Sequence, residues 1–473
     1  MYEFKILKKI SQFFAILGIT FIIISGTVDL NNLFNYENQQ VPDYINKDNT
    51  PSENPIDDKI ATLGRVLFYD KNLSSNNTIF CASCHQQSFA FSDPLVTSVG
   101  LNGENTSRHS MRLINSRFSV EENFFWDERA SSLENQVTQP IQDHIEMGFS
   151  GQNGAPNFDD LISKLDDLDY YQTLFQFAYN DPTINEERIK NALAQFIRSI
   201  QSFDSKFDDG LSQVANVNVP FPNFTPQENQ GKQLFLAPPG PVNGGAGCAG
   251  CHAPPEFDID PNSLNNGIIG VAGDESEIDL TNTRAPSLRD LVNPDGSLNG
   301  PLMHDGSITS LLGVINHYNS IPNDPQNTNL DNRLNPPGPG NQSLNLSINE
   351  KNALVAFLNT LTGSDVYTNE IWSDPFDENG NITIIGGELS TNEDIFEKNI
   401  NIYPNPIDQE IFIDLEIGKY MLSIYNLNGK LMHDQQIVGK SQISLEFLKS
   451  GIYFFKINDL ETHKIFQKKF IKK

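Results

Sequence analysis

Two short stretches carry all four cysteines of the chain, Cys81-Ala82-Ser83-Cys84-His85 and Cys248-Ala249-Gly250-Cys251-His252. Two cysteines three apart, followed at once by histidine, form the pattern that holds a haem by two thioether bonds and offers an imidazole to its iron. There are eight histidines in 473 residues, so histidine directly behind both pairs sets aside a disulfide or zinc reading. The expectation is two covalently bound haem c groups. Cys81, Cys84, Cys248 and Cys251 would anchor them, and His85 and His252 would be the proximal iron ligands.

What each iron does depends on its remaining axial position: an open iron meets a small oxidant, a filled one passes electrons. The sequence that follows the two motifs reads as a repeat. Ser107–Leu113 is echoed by Thr283–Arg289, and Trp126-Asp127-Glu128-Arg129 by His304-Asp305-Gly306-Ser307. Setting Trp126 on His304 places Leu133 on Leu311 and Val137 on Ile315. That spacing of four is what one helix face requires. Fourteen residues beyond His304 stands Tyr318, whose phenolate oxygen can ligate iron; fourteen beyond Trp126 stands Pro140, which cannot. The second haem is therefore expected to be six-coordinate through His252 and Tyr318, with Met303 and His317 as rival ligands. The first is expected to be open. Cleaving an O–O bond at an open haem calls for a group that moves protons. Glu146 is the candidate, with Asp143 and His144 as rivals by proximity, and Gln136 is placed to hydrogen-bond a distal ligand.

Several elements must position these groups. An apolar stripe of Ile189, Leu193, Phe196 and Ile197 predicts a helix within 185–203, and Leu354, Phe357, Leu358 and Leu361 predict another within 349–361. Pro/Gly-rich runs at 238–241 and 336–339 break regular structure. The polar stretch 28–50 and the acidic stretch 366–399 read as linkers between a first domain (51–210), a second (211–365) and a C-terminal module (400–473). In that module Ile411–Ile413, Met421–Tyr425 and Ile452–Ile457 read as strands, and Asn428-Gly429 as a hairpin turn.

A net charge of −28 and a pI near 4.5 argue against nucleic-acid binding through a basic face. Residues 1–27 read as an export signal: Lys5, Lys8 and Lys9 precede an apolar run from Phe13 to Ile24. That run falls short of the roughly 20 residues a bilayer span needs, so a cleaved signal is preferred over an anchor. The protein is expected outside the cytoplasm, in the periplasm or at the cell surface.

The phrases Phe125-Trp126-Asp127-Glu128-Arg129-Ala130, Leu133-Glu134, Gln136, Pro140 and Glu146-Met147 resemble the bacterial di-haem cytochrome c peroxidase/MauG family. So do Pro301-Leu302-Met303-His304-Asp305-Gly306-Ser307 and the closing segment Glu350–Leu358. The resemblance covers roughly 55–365. It implies a mainly α fold, with two cytochrome c-like haem domains in tandem. It gives Glu146 the acid–base role, places Trp126 between the haems as an electron relay, and puts His304 near the second haem. Tyrosine at 318, where other members have methionine, is the MauG-like feature. The resemblance also implies an inter-haem calcium ion, with Asn299 and Pro301 at positions that give backbone carbonyls. His109 stands where the family has an asparagine ligand, which puts that ion in doubt. A second resemblance joins Asn401–Pro406, Tyr425–Lys430, Ser450–Tyr453 and the basic end Lys468–Lys473 to type IX secretion sorting domains. It implies a small all-β module, a β-sandwich, that meets the secretion machinery.

The function expected is peroxide reduction at the first haem, with electrons from a small redox protein or another donor relayed through the second. The alternatives are peroxide-driven oxidation of a protein or organic substrate and electron transfer without turnover.

Overall fold

The computed structural model describes residues 26–240, 244–337, 340–386, 400–415, 418–427, 429–460 and 465–473. The chain divides at 387/388 into two compact units. Most of the expected export signal lies outside the described residues.

The first unit is mainly helical and has two apolar cores. One draws on residues between Val28 and Ile200, with Val366 and Trp372; the other runs from Phe207 to Leu361. Each core is crossed by one pair of helices. In the first, α1 (Asp58–Tyr69) packs on α3 (Glu186–Ser199); in the second, α4 (Pro226–Leu236) packs on α6 (Ile348–Asn359). The predicted stripes are buried in α3 and α6, including Leu193, Phe196, Leu354 and Phe357. Side chains stop the helices at their N-termini: Asn185 Oδ1 accepts from the Arg188 amide (2.9 Å), and Ser347 and Glu350 close a capping box.

The two crossings share one device. A Cβ on Gly64 would lie 2.0 Å from the Ala192 carbonyl oxygen and 2.9 Å from Phe196 Cβ. A Cβ on Gly231 would lie 1.9 Å from the Ala353 carbonyl oxygen and 2.8 Å from Phe357 Cβ. Only glycine lets the backbones approach this closely. Both glycines precede the first cysteine of their motif by the same interval, so the repeat extends upstream of the cysteines as well as downstream.

The linker reading of 28–50 and of 366–386 is corrected. Strand β1 (Thr27–Asp29) pairs in parallel with β2 (Thr383–Ile385). Val28, Leu30, Tyr36, Val366 and Trp372 are buried in the first core. Tyr36 Oη donates to the Ile371 carbonyl (2.8 Å) and Trp372 Nε1 to that of Ser199 (3.0 Å). Polar composition misled because a few apolar residues at wide spacing suffice to seat a strap. Gly26 and Thr27, counted with the export signal, also belong to this body. Residues 387–399 lie outside the described ones.

The second unit has a three-stranded sheet and a four-stranded sheet. The first sets β3 (Asn401–Tyr403), β4 (Glu410–Asp414) and β7 (Ser441–Ser444) in the order β7-β4-β3. The second sets β5 (Lys419–Asn426), β6 (Leu431–Val438), β8 (Gly451–Asp459) and β9 (Ile465–Lys472) in the order β6-β5-β8-β9. Alternate residues of both sheets, among them Ile411, Ile413, Leu422, Ile424, Phe455 and Ile457, fill one apolar cluster. The hairpin between β5 and β6 closes where Asn428-Gly429 was expected to turn it; Gly429 donates to the Asn426 carbonyl (3.0 Å), while Asn428 is outside the described residues. No helix among the described residues is long and apolar enough to cross a membrane.

Candidate active site

Each Cys-Cys-His motif opens onto its own cavity. Cys81, Cys84 and His85 line one; Cys248, Cys251 and His252 line the other. All four cysteines are free, and burial pushes the Cys81 and Cys248 thiols up to about 12. The two imidazoles are oriented alike. His85 Nδ1 lies 3.2 Å from the Phe91 carbonyl, and His252 Nδ1 lies 3.2 Å from the Phe257 carbonyl. Phe91 and Phe257 both sit at φ 58°, a left-handed turn that aims each carbonyl back at its histidine. A proton on Nδ1 leaves Nε2 with its lone pair, as a metal ligand needs. Burial keeps both rings neutral, lowering His252 to about 4 and His85 below the usual histidine range. The donor set therefore suits a haem in each cavity.

The residues beyond the motifs repeat in space as in sequence. Phe124 bridges to Ala130, and Leu302 to Ile308. Phe125 and Met303 take φ 69° and 71°, Glu128 and Gly306 take 56° and 65°, and each pair closes a turn by an amide-to-carbonyl bond of 3.2 Å. Ser132 then caps α2 (Leu133–Val137), and Ser310 caps α5 (Leu311–Asn319). From there the halves diverge. α5 runs on for nine residues and carries Leu311, Ile315 and Tyr318 on one stripe, all three lining the His252 cavity. α2 stops at Thr138, and Pro140 lies in the separate short helix Gln139–Gln142. Proline has no N–H to continue the ladder, and its ring collides with the carbonyl four residues back. One residue thus leaves no side-chain donor at this position and breaks the helix that would have presented one. Pro140 lines the His85 cavity.

Of the rival ligands, Met303 also lines the His252 cavity, whereas His317 does not, and His317 Nε2 meets the Asn266 carbonyl at 2.9 Å.

Glu146 lines the His85 cavity with Gln136, Arg129, Phe125 and Met147. Its amide donates to Asp143 Oδ1 (3.0 Å), part of a turn that Gly148 closes by donating to the Asp143 carbonyl (2.8 Å). Burial pushes the Glu146 carboxyl up to about 7; the Asp143 charge adds to this and Arg129 opposes it. Asp143 and His144 are exposed and do not line the cavity, and His144 Nδ1 meets Ser150 Oγ (2.9 Å).

The two cavities share a wall formed by His109–Arg112, Trp126 and Arg284–Pro286. Trp126 Nε1 donates to the His109 carbonyl (2.8 Å), and its own carbonyl accepts from the Thr283 and Arg284 amides (3.0 and 3.1 Å). The reciprocal bond runs from the His109 amide to the His304 carbonyl (2.7 Å). Each half thereby ties down the turn of the other. His304 is buried edge-on to Trp126, with ring centroids 6.2 Å apart. Asn282 Nδ2 lies 2.8 Å from its Nδ1, and the Gly270 carbonyl 2.8 Å from its Nε2, so neither nitrogen is free for a metal.

Asn299 is fully buried; its Nδ2 donates to the Asp290 carbonyl and to Tyr367 Oη (2.9 and 2.8 Å). Pro301 lines the His252 cavity. His109 Nδ1 lies 3.1 Å from the Leu95 carbonyl and 3.2 Å from that of Val96. Among the described residues no group of three or more His, Cys, Asp or Glu is arranged to hold a metal ion.

Comparisons with known proteins point to one family for the helical body. Residues 58–216 match the family model for di-haem cytochrome c peroxidase, and residues 401–473 match the secretion system C-terminal sorting domain. The methylamine utilization protein MauG of Methylorubrum extorquens is 31% identical over 320 residues, 66% of this chain and 80% of that one. That of Methylophilus methylotrophus is 29% identical over 358 residues, 74% and 95% of the two chains. The cytochrome c peroxidase Ccp of Escherichia coli is 30% identical over 274 residues, 56% and 54% of the two chains. A crystal structure of a MauG-like protein associated with microbial copper homeostasis superposes with a TM-score of 0.57 at 28% identity, covering 72% of this chain and 99% of that one. A peroxidase-like haem oxidoreductase body and a sorting domain for export to the cell surface are thus joined in one polypeptide, and the chain belongs to the di-haem cytochrome c peroxidase/MauG family.

Proposed function

We propose that the chain reduces hydrogen peroxide in the cavity around His85, with electrons delivered by way of the cavity around His252. The observation that carries this is the divergence after α2 and α5: Pro140 offers no ligand at the first cavity, and Tyr318 lines the second. Bound haem would supply a redox-active iron to each cavity, ligated by His85 in the first and by His252 and Tyr318 in the second. Glu146 takes the proton from the inner oxygen of peroxide and hands it to the outer one, which leaves as water. Gln136 hydrogen-bonds the incoming oxidant. Trp126, in the wall common to both cavities, relays electrons. A calcium ion on the Asn299 and Pro301 carbonyls is part of the same proposal, as are a β-sandwich for 400–473 and a small redox protein as donor. Peroxide-dependent oxidation of a reduced cytochrome or dye tests the reading; a protein with both haems and no such turnover would be an electron carrier only.

Tyrosine at 318 favours a second reading, peroxide-driven oxidation of a protein or organic substrate, as its MauG-like form implies. Product analysis of peroxide-treated candidate substrates separates the two.

Two results are expected. Oxidised holoprotein will give one high-spin and one low-spin ferric EPR signal, and Tyr318→Phe will abolish the low-spin one. An unchanged low-spin signal would hand the ligand role to Met303, the rival that lines the same cavity. Second, Glu146 accepts a proton only as the carboxylate. Its carboxyl is raised to about 7, so kcat/KM for peroxide will climb with pH through about 7, and Glu146→Gln will lack that limb. A wild-type profile flat from pH 5.5 to 8.5 counts against the assignment.

A further inference from the structure

Two buried arginines lack the anion that buried arginines need. Arg112 is 9% exposed and Arg284 5%. Arg112 donates through Nη2 to the Ser287 carbonyl (3.1 Å), and Arg284 through Nη1 to the carbonyls of Glu121 and Asn123. The Nε of each has no partner. Carbonyls satisfy hydrogen-bond geometry but do not neutralise charge. Asp290 near Arg112, and Glu121, Asp258 and Glu128 near Arg284, act only at longer range; none of them makes a hydrogen bond to either guanidinium among the described residues. Burial lowers Arg112 to about 10.

Other buried arginines in the chain are treated differently. Arg289 is paired through two nitrogens with both Asp208 oxygens (2.8 Å each), and Arg198 is paired with Glu134. Arg65 has no carboxylate partner, but its Nε is satisfied by the Ser373 carbonyl (2.6 Å) and it lines neither cavity. Arg112 and Arg284 are set apart by position: both belong to the wall shared by the two cavities and line each of them. An unpaired buried guanidinium facing a cavity is a site for a planar anion, and a carboxylate matches its fork.

We infer that Arg112 and Arg284 form a carboxylate clamp between the two cavities, which holds propionate side chains of the bound haems, with Arg112 shared by both. This rests on the di-haem reading above. The clamp would set fixed positive charge against the propionates of both bound haems. Positive charge favours the reduced state, so the same two residues set both reduction potentials and couple occupancy of one cavity to that of the other.

Spectroelectrochemical titration of the holoprotein tests this, with haem counted by the pyridine haemochrome. Arg112→Leu, with two haems retained, is expected to move both Fe(III)/Fe(II) equilibria toward ferric by about tenfold, roughly 59 mV for a one-electron couple. Arg112→Lys keeps the charge and should restore most of the shift while altering the propionate bending bands in resonance Raman. Two retained haems with both couples moved by less than threefold, or with only one moved, overturn the shared clamp and leave the di-haem reading standing. Should Arg112→Leu fail to accumulate, the Raman bands of Arg112→Lys decide: bands identical to wild type overturn it. A wild-type count below two haems would sink the di-haem reading and the clamp together.

Discussion

Glu146→Gln will lose about 10²–10⁴-fold in peroxide turnover, the usual worth of a positioned acid–base group, while both haems remain attached. Glutamine preserves size and hydrogen bonding but cannot carry the proton from one oxygen to the other. The reason to expect so large an effect is the setting of this carboxyl. It lines the His85 cavity, where Pro140 stands at the position that Tyr318 holds in the other, and burial raises it to about 7, where it exchanges protons most readily. Asp143 cannot substitute, because it is exposed and its Oδ1 is occupied by the amides of Ile145 and Glu146. Stopped-flow mixing of the reduced enzyme with peroxide measures the loss. Retention of full turnover would remove Glu146 from the mechanism.

The second large effect is on stability. Gly64→Ala and Gly231→Ala each place a methyl within about 2 Å of a carbonyl oxygen on the partner helix. Alanine would gain roughly 1 kcal/mol over glycine in an unobstructed helix. Here the obstacle is backbone, which cannot rotate away, and overpacking of this kind costs about 1–3 kcal/mol or more. Both substitutions are therefore expected to destabilise. Because the two crossings belong to separate apolar cores, the damage should be local. Gly64→Ala will disturb the spectrum of the haem on Cys81 and Cys84, and Gly231→Ala that of the haem on Cys248 and Cys251. Thermal melts followed in the Soret band and in the far ultraviolet check both. A Gly64→Ala protein that melts at or above wild type would mean the helices part without cost.

Much of the site was legible because its chemistry is local in sequence. A cysteine pair and its histidine lie within five residues, and from Trp126/His304 onward the repeat keeps a constant offset, so Pro140 falls on Tyr318 in the sequence alone. The helical stripes in α3 and α6 were legible for the same reason, one face repeating every three to four residues. What stayed hidden depends on contacts distant in sequence. Gly64 and Gly231 sit upstream of the motifs, and their meaning emerges only once Ala192 and Ala353 are opposite them. A signal was available, since each stands the same interval before its cysteine and each later helix carries Ala and Phe four apart. Arg112 and Arg284 were visible as residues of the repeat, but their lack of a carboxylate cannot be read from a string. The straps at 26–50 and 366–386 stayed hidden for another reason: few apolar residues mark them.

Strand β1 lies next to β2 in parallel register, Thr27 beside Thr383 and Asp29 beside Ile385. The first strand of the body therefore waits for nearly all of it to be made before it meets its partner, and closing so long a loop is entropically costly and slow. Until Thr383–Ile385 emerges, Val28 and Leu30 have no neighbouring strand to cover them. A chain stalled or clipped earlier would show an open seam, and one cut just after residue 386 would keep it shut. The clasp thus acts as a register of completeness, distinguishing a finished body from a truncated one before any haem chemistry is asked of it.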